Sequence, residues 1–282
     1  MSYEYLLSDN QLLQAYDCIK EIGIRNMPDV VFKVNEEIEQ ANANPQTVAE
    51  LITSDIVLAG NVLKLANSPL YRRRAEIQSV EHAIMMLGLE NLKNLVIASA
   101  FKHVLVSNSD ELRQIAEDSQ IIANYASGIA SMVTDVTHED AYLSGLFHNA
   151  GMFLLAQRFD NYLDLIKEWA GDPTRIIAAE DEQFGTNHCV VGFILAKHWK
   201  LPDIVCYAIS QHHLGCCEKV EDPALRGHIA VLKLANYLLE SNVTVNTAEI
   251  MPENWTEYGD AAVKELALDR DSIDEIRLLC SV

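Results

Sequence analysis

Apolar residues recur at intervals of three and four along almost the whole chain, and this spacing constrains the fold more than any other feature. The clearest stripe lies between about Glu111 and Val133; its members are Ile122, Tyr125, Ala126, Ile129 and Val133. Such spacing places side chains on one face of an α-helix. Alternating polar and apolar stretches rich in β-branched residues are nearly absent. The pattern therefore predicts an all-α, multi-helix fold of about a dozen helices.

Helix-breaking residues divide the periodic segments. The seven prolines fall between such segments, and they are Pro28, Pro45, Pro69, Pro173, Pro202, Pro223 and Pro252. A proline lacks a backbone N–H, so it is tolerated best where a helix begins or a loop runs. We expect Asn67 to end a helix, where an asparagine is compatible with a left-handed cap, and Gly88 to end another with a positive φ. The polar cluster at 107–110 predicts a loop followed by an N-cap, with a division of the chain near it.

Composition excludes several classes of protein. The formal net charge of −20 argues against nucleic-acid binding, which requires Lys and Arg to neutralise phosphates. The short basic run Arg72–Arg74 is interpreted as a solvated turn. No apolar run approaches the roughly 20 residues that span a bilayer, so we expect no membrane association. The N-terminus lacks a signal-peptide pattern and the six cysteines show no framework spacing, which indicates a reduced, cytoplasmic protein.

Four of the nine histidines stand in contexts that could form a metal site: His148, His188, His212 and His213. Histidines on separate helices of a bundle can converge on one cavity. The alternative is that each bonds a backbone carbonyl or caps a helix. Cys216 and Cys217 are adjacent, which is a poorer zinc chelate than Cys-x-x-Cys, so buried free thiols are expected there. Cys189 directly follows His188, but adjacency does not indicate an oriented pair, and no covalent mechanism is predicted.

The doublet His148-Asn149 looks like a metal-binding His-Asp pair whose carboxylate has become an amide. An aspartate offers only acceptors and carries a charge, whereas an asparagine offers one neutral acceptor and two donors. A hard divalent cation is therefore held poorly by the amide. The doublet suggests an inactive relative of a metal-dependent enzyme.

Taken together, roughly residues 20–240 resemble bacterial HDOD-domain proteins, which are related to the HD-domain phosphohydrolases and to HD-GYP cyclic-dinucleotide phosphodiesterases. The first-half matches are Met27-Pro28, Asn44-Pro45, Ile52, Ser54-Asp55, the stretch 62–68, Tyr71, Ile77, Ser79-Val80, Ala83-Ile84 and Leu87-Gly88. The second-half matches are the stretches 145–151 and 184–188, Gly192, Trp199, Leu201-Pro202 and His212-His213.

The resemblance implies an N-terminal helical subdomain (1–108) packed on a degenerate HD-like core (109–240), with a C-terminal helical extension (241–282) packed on that core. It also implies that Asp118 stands where an active enzyme has its first histidine. Asn149 and Asn236 stand where an active enzyme has aspartates. A remnant site of His148, His188, His212, His213 and Asp118 is expected. No cofactor is required, although one divalent transition metal could bind.

The function that this resemblance implies is a non-catalytic, cytoplasmic signal-transduction module that binds signalling proteins and could form homo-oligomers. Two alternatives stay open. One is a metal-dependent phosphohydrolase acting on a nucleotide or a cyclic dinucleotide, although no GYP-type tripeptide follows the second-half helices. The other is a nucleotide-binding sensor without hydrolysis, which a nucleotide would stabilise thermally.

Overall fold

The protein is an all-α molecule, as its periodicity predicts. The computed structural model describes residues 3, 6–24, 26–68, 76–104, 109–169, 172, 175–214, 220–247 and 253–280. These residues form sixteen helices and no strand. The first eight are α1 (Asp9–Ile19), α2 (Asp29–Ile38), α3 (Pro45–Thr53), α4 (Ile56–Ala66), α5 (Val80–Leu87), α6 (Leu89–Val104), α7 (Asp110–Ala130) and α8 (His138–Phe147). The remainder are α9 (Ala150–Arg158), α10 (Tyr162–Trp169), α11 (Arg175–Phe184), α12 (His188–His198), α13 (Asp203–Gln211), α14 (Pro223–Thr247), α15 (Glu253–Leu266) and α16 (Arg270–Cys280).

The helix number exceeds the dozen expected because some neighbouring helices are separated by very short breaks. Gly88 alone separates α5 from α6, and its φ of 82° confirms the predicted positive-φ helix end. His148 and Asn149 separate α8 from α9 in the same way. A break of one or two residues interrupts apolar periodicity too little to be seen in the sequence.

Helix starts follow local capping chemistry. Ser109 caps α7 by accepting a hydrogen bond from the Leu112 backbone N–H, which confirms the predicted N-cap. The prolines within the described residues all stand at helix starts: Pro28, Pro45, Pro202 and Pro223. Pro69, Pro173, Pro252, the run Arg72–Arg74 and the pair Cys216-Cys217 lie outside the described residues.

Asn67 ends α4 as predicted, but it does not adopt the left-handed conformation. It is the C-cap of that helix with φ −95° and ψ 3°. The Asn67 side chain makes two hydrogen bonds to the backbone of Ile77: Nδ2 donates to the carbonyl oxygen at 2.8 Å, and Oδ1 accepts from the N–H at 2.8 Å. These bonds account for an asparagine at this helix end. The amide therefore imitates a backbone pairing and fixes residue 77 beside the end of α4.

Two compact units make up the chain, and their boundaries differ from the predicted ones. The smaller unit comprises residues 25–106 and contains α2–α6 around a core that includes Val34, Ile52 and Leu92. The larger unit comprises 1–24 together with 107–282. The first 24 residues belong to this larger unit because α1 packs against α9 and α12. No boundary falls at 240, since α14 runs through it as one helix.

The larger unit holds the four histidines that the sequence singles out. Its central helices are α7, α8, α9, α12, α13 and α14, and α15 packs along α14. Among the described helices, none is both long and apolar enough to cross a membrane.

Candidate functional site

Three histidines stand at helix ends inside the larger unit. His148 is the C-cap of α8, His188 is the first residue of α12, and His212 is the C-cap of α13. All three side chains are 0% exposed. His213 follows directly and is half-buried, with its ring centroid 4.2 Å from that of His212. The helix ends thus bring residues from positions 148 to 213 into one buried cluster.

Small residues allow the helices to approach closely enough for this arrangement. At Gly151, an added Cβ would lie 2.1 Å from the His188 carbonyl oxygen and 2.8 Å from the Gly192 backbone nitrogen. Only a residue without a Cβ can occupy such a crossing of α9 and α12. At Gly192, an added Cβ would lie 3.1 Å from the Ile209 side chain of α13, so this crossing is also close.

His188 forms a buried pair with a carboxylate that the sequence did not single out. Glu180 of α11 is 0% exposed, and its Oε2 accepts from His188 Nδ1 at 2.8 Å and from the His188 backbone N–H at 3.0 Å. Tyr162 of α10 donates its hydroxyl to Glu180 Oε1 at 2.5 Å. Every oxygen of this buried carboxylate is therefore hydrogen-bonded, as burial of a charge requires.

The other two buried imidazoles are oriented in the same manner. His148 Nδ1 lies 2.7 Å from the Gly145 carbonyl oxygen, and His212 Nδ1 lies 2.7 Å from the Ile209 carbonyl oxygen. Because an oxygen acceptor requires the proton on Nδ1, each Nε2 is left with its lone pair. His188 Nε2 and His212 Nε2 face each other at 3.4 Å. His148 Nε2 is buried and lacks a well-aligned hydrogen bond within the described residues. Burial lowers the pKa of this ring, and the Asn236 side chain lies close enough to raise that pKa slightly against the effect of burial.

Cys189 joins the cluster, which the sequence reasoning missed. Its Sγ lies 3.7 Å from His188 Nε2 and 4.0 Å from His212 Nε2. One ligand atom from each of His188, Cys189, His212 and His213 lies within 4.8 Å of the other three. Asn187 caps α12: its Oδ1 accepts from the Cys189 and Val190 N–H groups and fixes the first turn of that helix.

The remaining predicted positions lie outside this group of four. His148 contacts it only through its ring, whose centroid is 5.1 Å from that of His212. Asp118 is half-buried on α7, and its carboxylate accepts a hydrogen bond from the Gln114 side chain one turn earlier. It lies outside the cluster because the buried face of α7 includes Ser119 and Ile122 instead. Asn236 donates to the Leu232 carbonyl oxygen of its own helix. Asn149 Oδ1 is buried and has no hydrogen-bond partner within the described part of the chain.

The electrostatics of the cluster separate its histidines. Burial lowers the pKa of His148 to about 4. The pKa of His212 lies well below its ordinary value, mainly because the ring is buried and in addition because other imidazoles lie close to it. Burial alone would also lower the pKa of His188, but the Glu180 carboxylate and the Cys189 thiol outweigh it and raise that pKa to about 10. Near neutral pH the buried positive charge therefore resides on His188, opposite Glu180.

This donor set suits one transition metal and does not suit a binuclear hydrolytic centre. A binuclear centre needs anionic oxygens to bridge two cations and activate water. Here the two expected aspartates are the amides Asn149 and Asn236, and Asp118 lies outside the group. Glu180 is already bound to His188 and Tyr162. Nitrogen and sulfur donors remain, which is the chemistry of a single soft or borderline ion.

The helices and the histidine cluster define an all-helical domain with buried histidines from separate helix ends. The chain belongs to the HDOD domain family, which matches residues 24–214. A relative from Treponema pallidum, itself uncharacterised, is 26% identical over 194 residues, which are 67% of this chain and 37% of the relative. The chain thus spans little more than a third of that relative's length.

Three solved structures share the fold. An HDOD domain protein of unknown function from Geobacter sulfurreducens has a TM-score of 0.67 at 24% identity, covering 97% of this chain and 98% of that one. A candidate phosphohydrolase from Shewanella amazonensis has a TM-score of 0.63 at 19% identity, covering 97% and 99%. A candidate signal transduction protein from Marinobacter aquaeolei has a TM-score of 0.65 at 22% identity, covering 98% and 64%.

Proposed function

We propose that this protein is a non-catalytic regulatory module of signal transduction that acts by binding other proteins. The observation that carries the proposal is a buried histidine cluster without a carboxylate ligand among the described residues. His148, His188 and His212 are 0% exposed. A binuclear hydrolase needs anionic oxygens to hold its cations and activate water, and the amides Asn149 and Asn236 stand where those carboxylates are expected.

Regulation through partners accords with how related chains are built. The Marinobacter protein, a candidate in signal transduction, is longer, and this chain corresponds to 64% of it. In that protein the region similar to this chain is accompanied by further sequence. The strong negative charge favours partners with basic surfaces, because complementary charge steers protein association. The described cysteines Cys18, Cys189 and Cys206 are free thiols, which fits a reducing cytoplasm.

Catalysis is tested by comparing the wild type with His188→Ala at equal concentration. Each is loaded with Mn²⁺, Fe²⁺ or Zn²⁺ and given a generic phosphodiester, nucleotides and cyclic dinucleotides. We expect no hydrolysis above the variant's background for any substrate. Metal-dependent turnover that His188→Ala abolishes would make the protein a phosphohydrolase. Thermal stabilisation by a nucleotide without turnover would instead make it a nucleotide sensor.

Partner binding is tested by cross-linking in cells, using surface variants of the full chain. Ile56 and Met85 are exposed large apolar residues, with 85% and 77% of their surface accessible, so Ile56→Glu and Met85→Glu change the surface without disturbing the core. We expect one discrete partner to be lost in at least one variant and retained in a control, Gln114→Glu. A second copy of this chain is one possible outcome. The absence of any partner sensitive to surface changes would contradict the proposal.

A further inference from the structure

The distances within the cluster match those of a tetrahedral zinc site. With Zn–N bonds of about 2.0–2.1 Å and Zn–S bonds of about 2.3 Å, two nitrogens lie about 3.3 Å apart and a nitrogen and a sulfur about 3.6 Å apart. The His188 and His212 Nε2 atoms are 3.4 Å apart. Cys189 Sγ is 3.7 Å from His188 Nε2 and 4.0 Å from His212 Nε2, and it lies nearer, at 3.5 Å, to His212 Nδ1. The three donor separations are therefore close to those of a zinc triangle, and binding requires the Cys189 side chain to turn from Nδ1 toward Nε2 of His212.

The orientation of the two imidazoles is that of metal ligands. A histidine that binds a metal through one ring nitrogen usually donates the other N–H to a carboxylate or a carbonyl. Glu180 accepts from His188 Nδ1 and the Ile209 carbonyl accepts from His212 Nδ1. These bonds leave the two Nε2 atoms as the remaining ring positions, and they lie 3.4 Å apart. In the metal-free protein the protonated His188 can share its Nε2 proton with His212, and a metal ion would take the place of that proton.

The charges around that point balance for a divalent ion. A zinc ion carries two positive charges, and a Cys189 thiolate and the Glu180 carboxylate supply two negative ones. Tyr162 satisfies the remaining lone pair of Glu180 Oε1. Burial raises the pKa of the Cys189 thiol in the metal-free protein, so the thiolate forms only as zinc displaces the proton. The zinc ion, the Cys189 thiolate and the Glu180 carboxylate therefore sum to zero charge, so none of these buried charges is left uncompensated.

We propose that His188, Cys189 and His212 bind one zinc ion, with His213 as the fourth ligand, in a closed site that stabilises the larger unit. The ligand set differs from the remnant expected from the sequence, because it includes the thiol of Cys189 and omits Asp118 and His148. Zinc is favoured over magnesium or manganese because the donors are nitrogen and sulfur. The zinc proposal does not depend on the proposed regulatory function, since its tests measure no activity.

Reconstitution of the full chain tests the site. The protein is purified without nickel chromatography, stripped with a chelator and titrated with Zn²⁺ or Co²⁺. We expect one ion per chain by mass spectrometry, a raised melting temperature, and tetrahedral Co²⁺ bands with a near-ultraviolet thiolate-to-cobalt charge-transfer band. Cys189→Ser should lose that band. Cys206→Ser is the matched control, because Cys206 is also a buried free thiol but bonds the Leu201 carbonyl.

Other outcomes overturn the proposal. A thiolate band that survives in Cys189→Ser but disappears in the double variant Cys216→Ser, Cys217→Ser would assign the sulfur elsewhere. Two ions per chain, no ion in a folded chain, or a cobalt adduct without sulfur ligation would each exclude the site. Should Cys189→Ser fail to fold, X-ray absorption of the wild-type zinc protein decides the matter. One sulfur neighbour at about 2.3 Å, accompanied by imidazole scattering, is the expected result.

Discussion

His148 is a buried imidazole whose titration should be visible in stability. Its pKa is about 4 in the folded protein, because burial disfavours the charged ring, against about 6.5 in an unfolded chain. Between these values the unfolded state binds more protons than the folded one. His148 therefore stabilises the fold above about pH 6.5, and this contribution is lost as the pH falls toward 4.

Denaturant unfolding of metal-free protein at pH 6.5 and pH 5 measures that contribution. His148→Phe keeps an aromatic ring but removes the titration. We expect the wild type to lose about 1.5 kcal/mol more than this variant between the two pH values, because the unfolded imidazole is already half protonated at pH 6.5 and the slope approaches about 1.4 kcal/mol per pH unit only below it. Equal losses in the two proteins would show that His148 does not remain neutral in the fold.

Asn67 should contribute to the smaller unit through its side-chain bonds to Ile77. Asn67→Ala removes both of them, together with the bond to the Leu63 carbonyl, and leaves part-buried backbone groups of residue 77 without their partner. We expect a loss of about 2 kcal/mol, measured by denaturant unfolding. Asn91→Ala is the control: Asn91 lies in the same unit and its amide donates to the Leu87 carbonyl. A similar small loss in both variants would contradict the bridging role.

At the scale of helices, local chemistry makes much of the fold predictable. Caps such as Ser109 and breakers such as Pro45 and Gly88 act within a few residues, so the sequence alone indicates where helices begin and end. The conformation of Asn67 was not predicted, because its partner lies ten residues away, beyond any local pattern. The docking of α1 on α9 and α12 is equally non-local.

The site was predictable only in part, for the same reason. Residue type and the family resemblance were enough to predict three of the four proposed zinc ligands, which are His188, His212 and His213. Asp118 could not be rejected, since the rotation of α7 about its axis decides how far it is buried. Cys189 could not be chosen, because its approach to His212 depends on how α12 and α13 cross.

The crossing of α9 and α12 should tolerate no side chain at Gly151. A Cβ there meets backbone atoms of His188 and Gly192, which cannot rotate away. Gly151→Ala should therefore destabilise the larger unit by about 3 kcal/mol or more. Gly60→Ala is the matched control within a helix, because a Cβ at Gly60 meets no atom within 4 Å.

Comparing the two alanine variants separates steric cost from helix propensity. We expect Gly60→Ala to gain about 0.5–1 kcal/mol, since alanine restricts the unfolded chain and favours helix. Thermal and denaturant unfolding of both variants measure the two changes in the free energy of unfolding, which we expect to have opposite signs. A Gly151→Ala protein as stable as the wild type would mean that the helices can separate at no cost.

At the scale of the whole molecule, buried residues of α14 and α15 hold the histidine segment in place. The Tyr258 hydroxyl of α15 donates to the His212 carbonyl oxygen at 2.7 Å. Lys233 of α14 is fully buried, donates to the Leu214 carbonyl oxygen at 2.8 Å, and has its ammonium 4.5 Å from the centre of the Tyr258 ring. The extension is thus part of the larger unit rather than an appendage.

Two substitutions at Tyr258 separate its hydroxyl from its ring. Tyr258→Phe removes one buried hydrogen bond and keeps the ring beneath Lys233, so we expect a loss of about 1 kcal/mol. Tyr258→Ala also leaves a cavity and removes the ring beside a buried ammonium, so we expect a loss of about 4 kcal/mol. Tyr237→Phe, on the neighbouring α14, should stay within about 0.5 kcal/mol of the wild type. Equal losses for the two Tyr258 variants would show that the ring contributes nothing and that the hydroxyl alone fastens α15 to the end of α13.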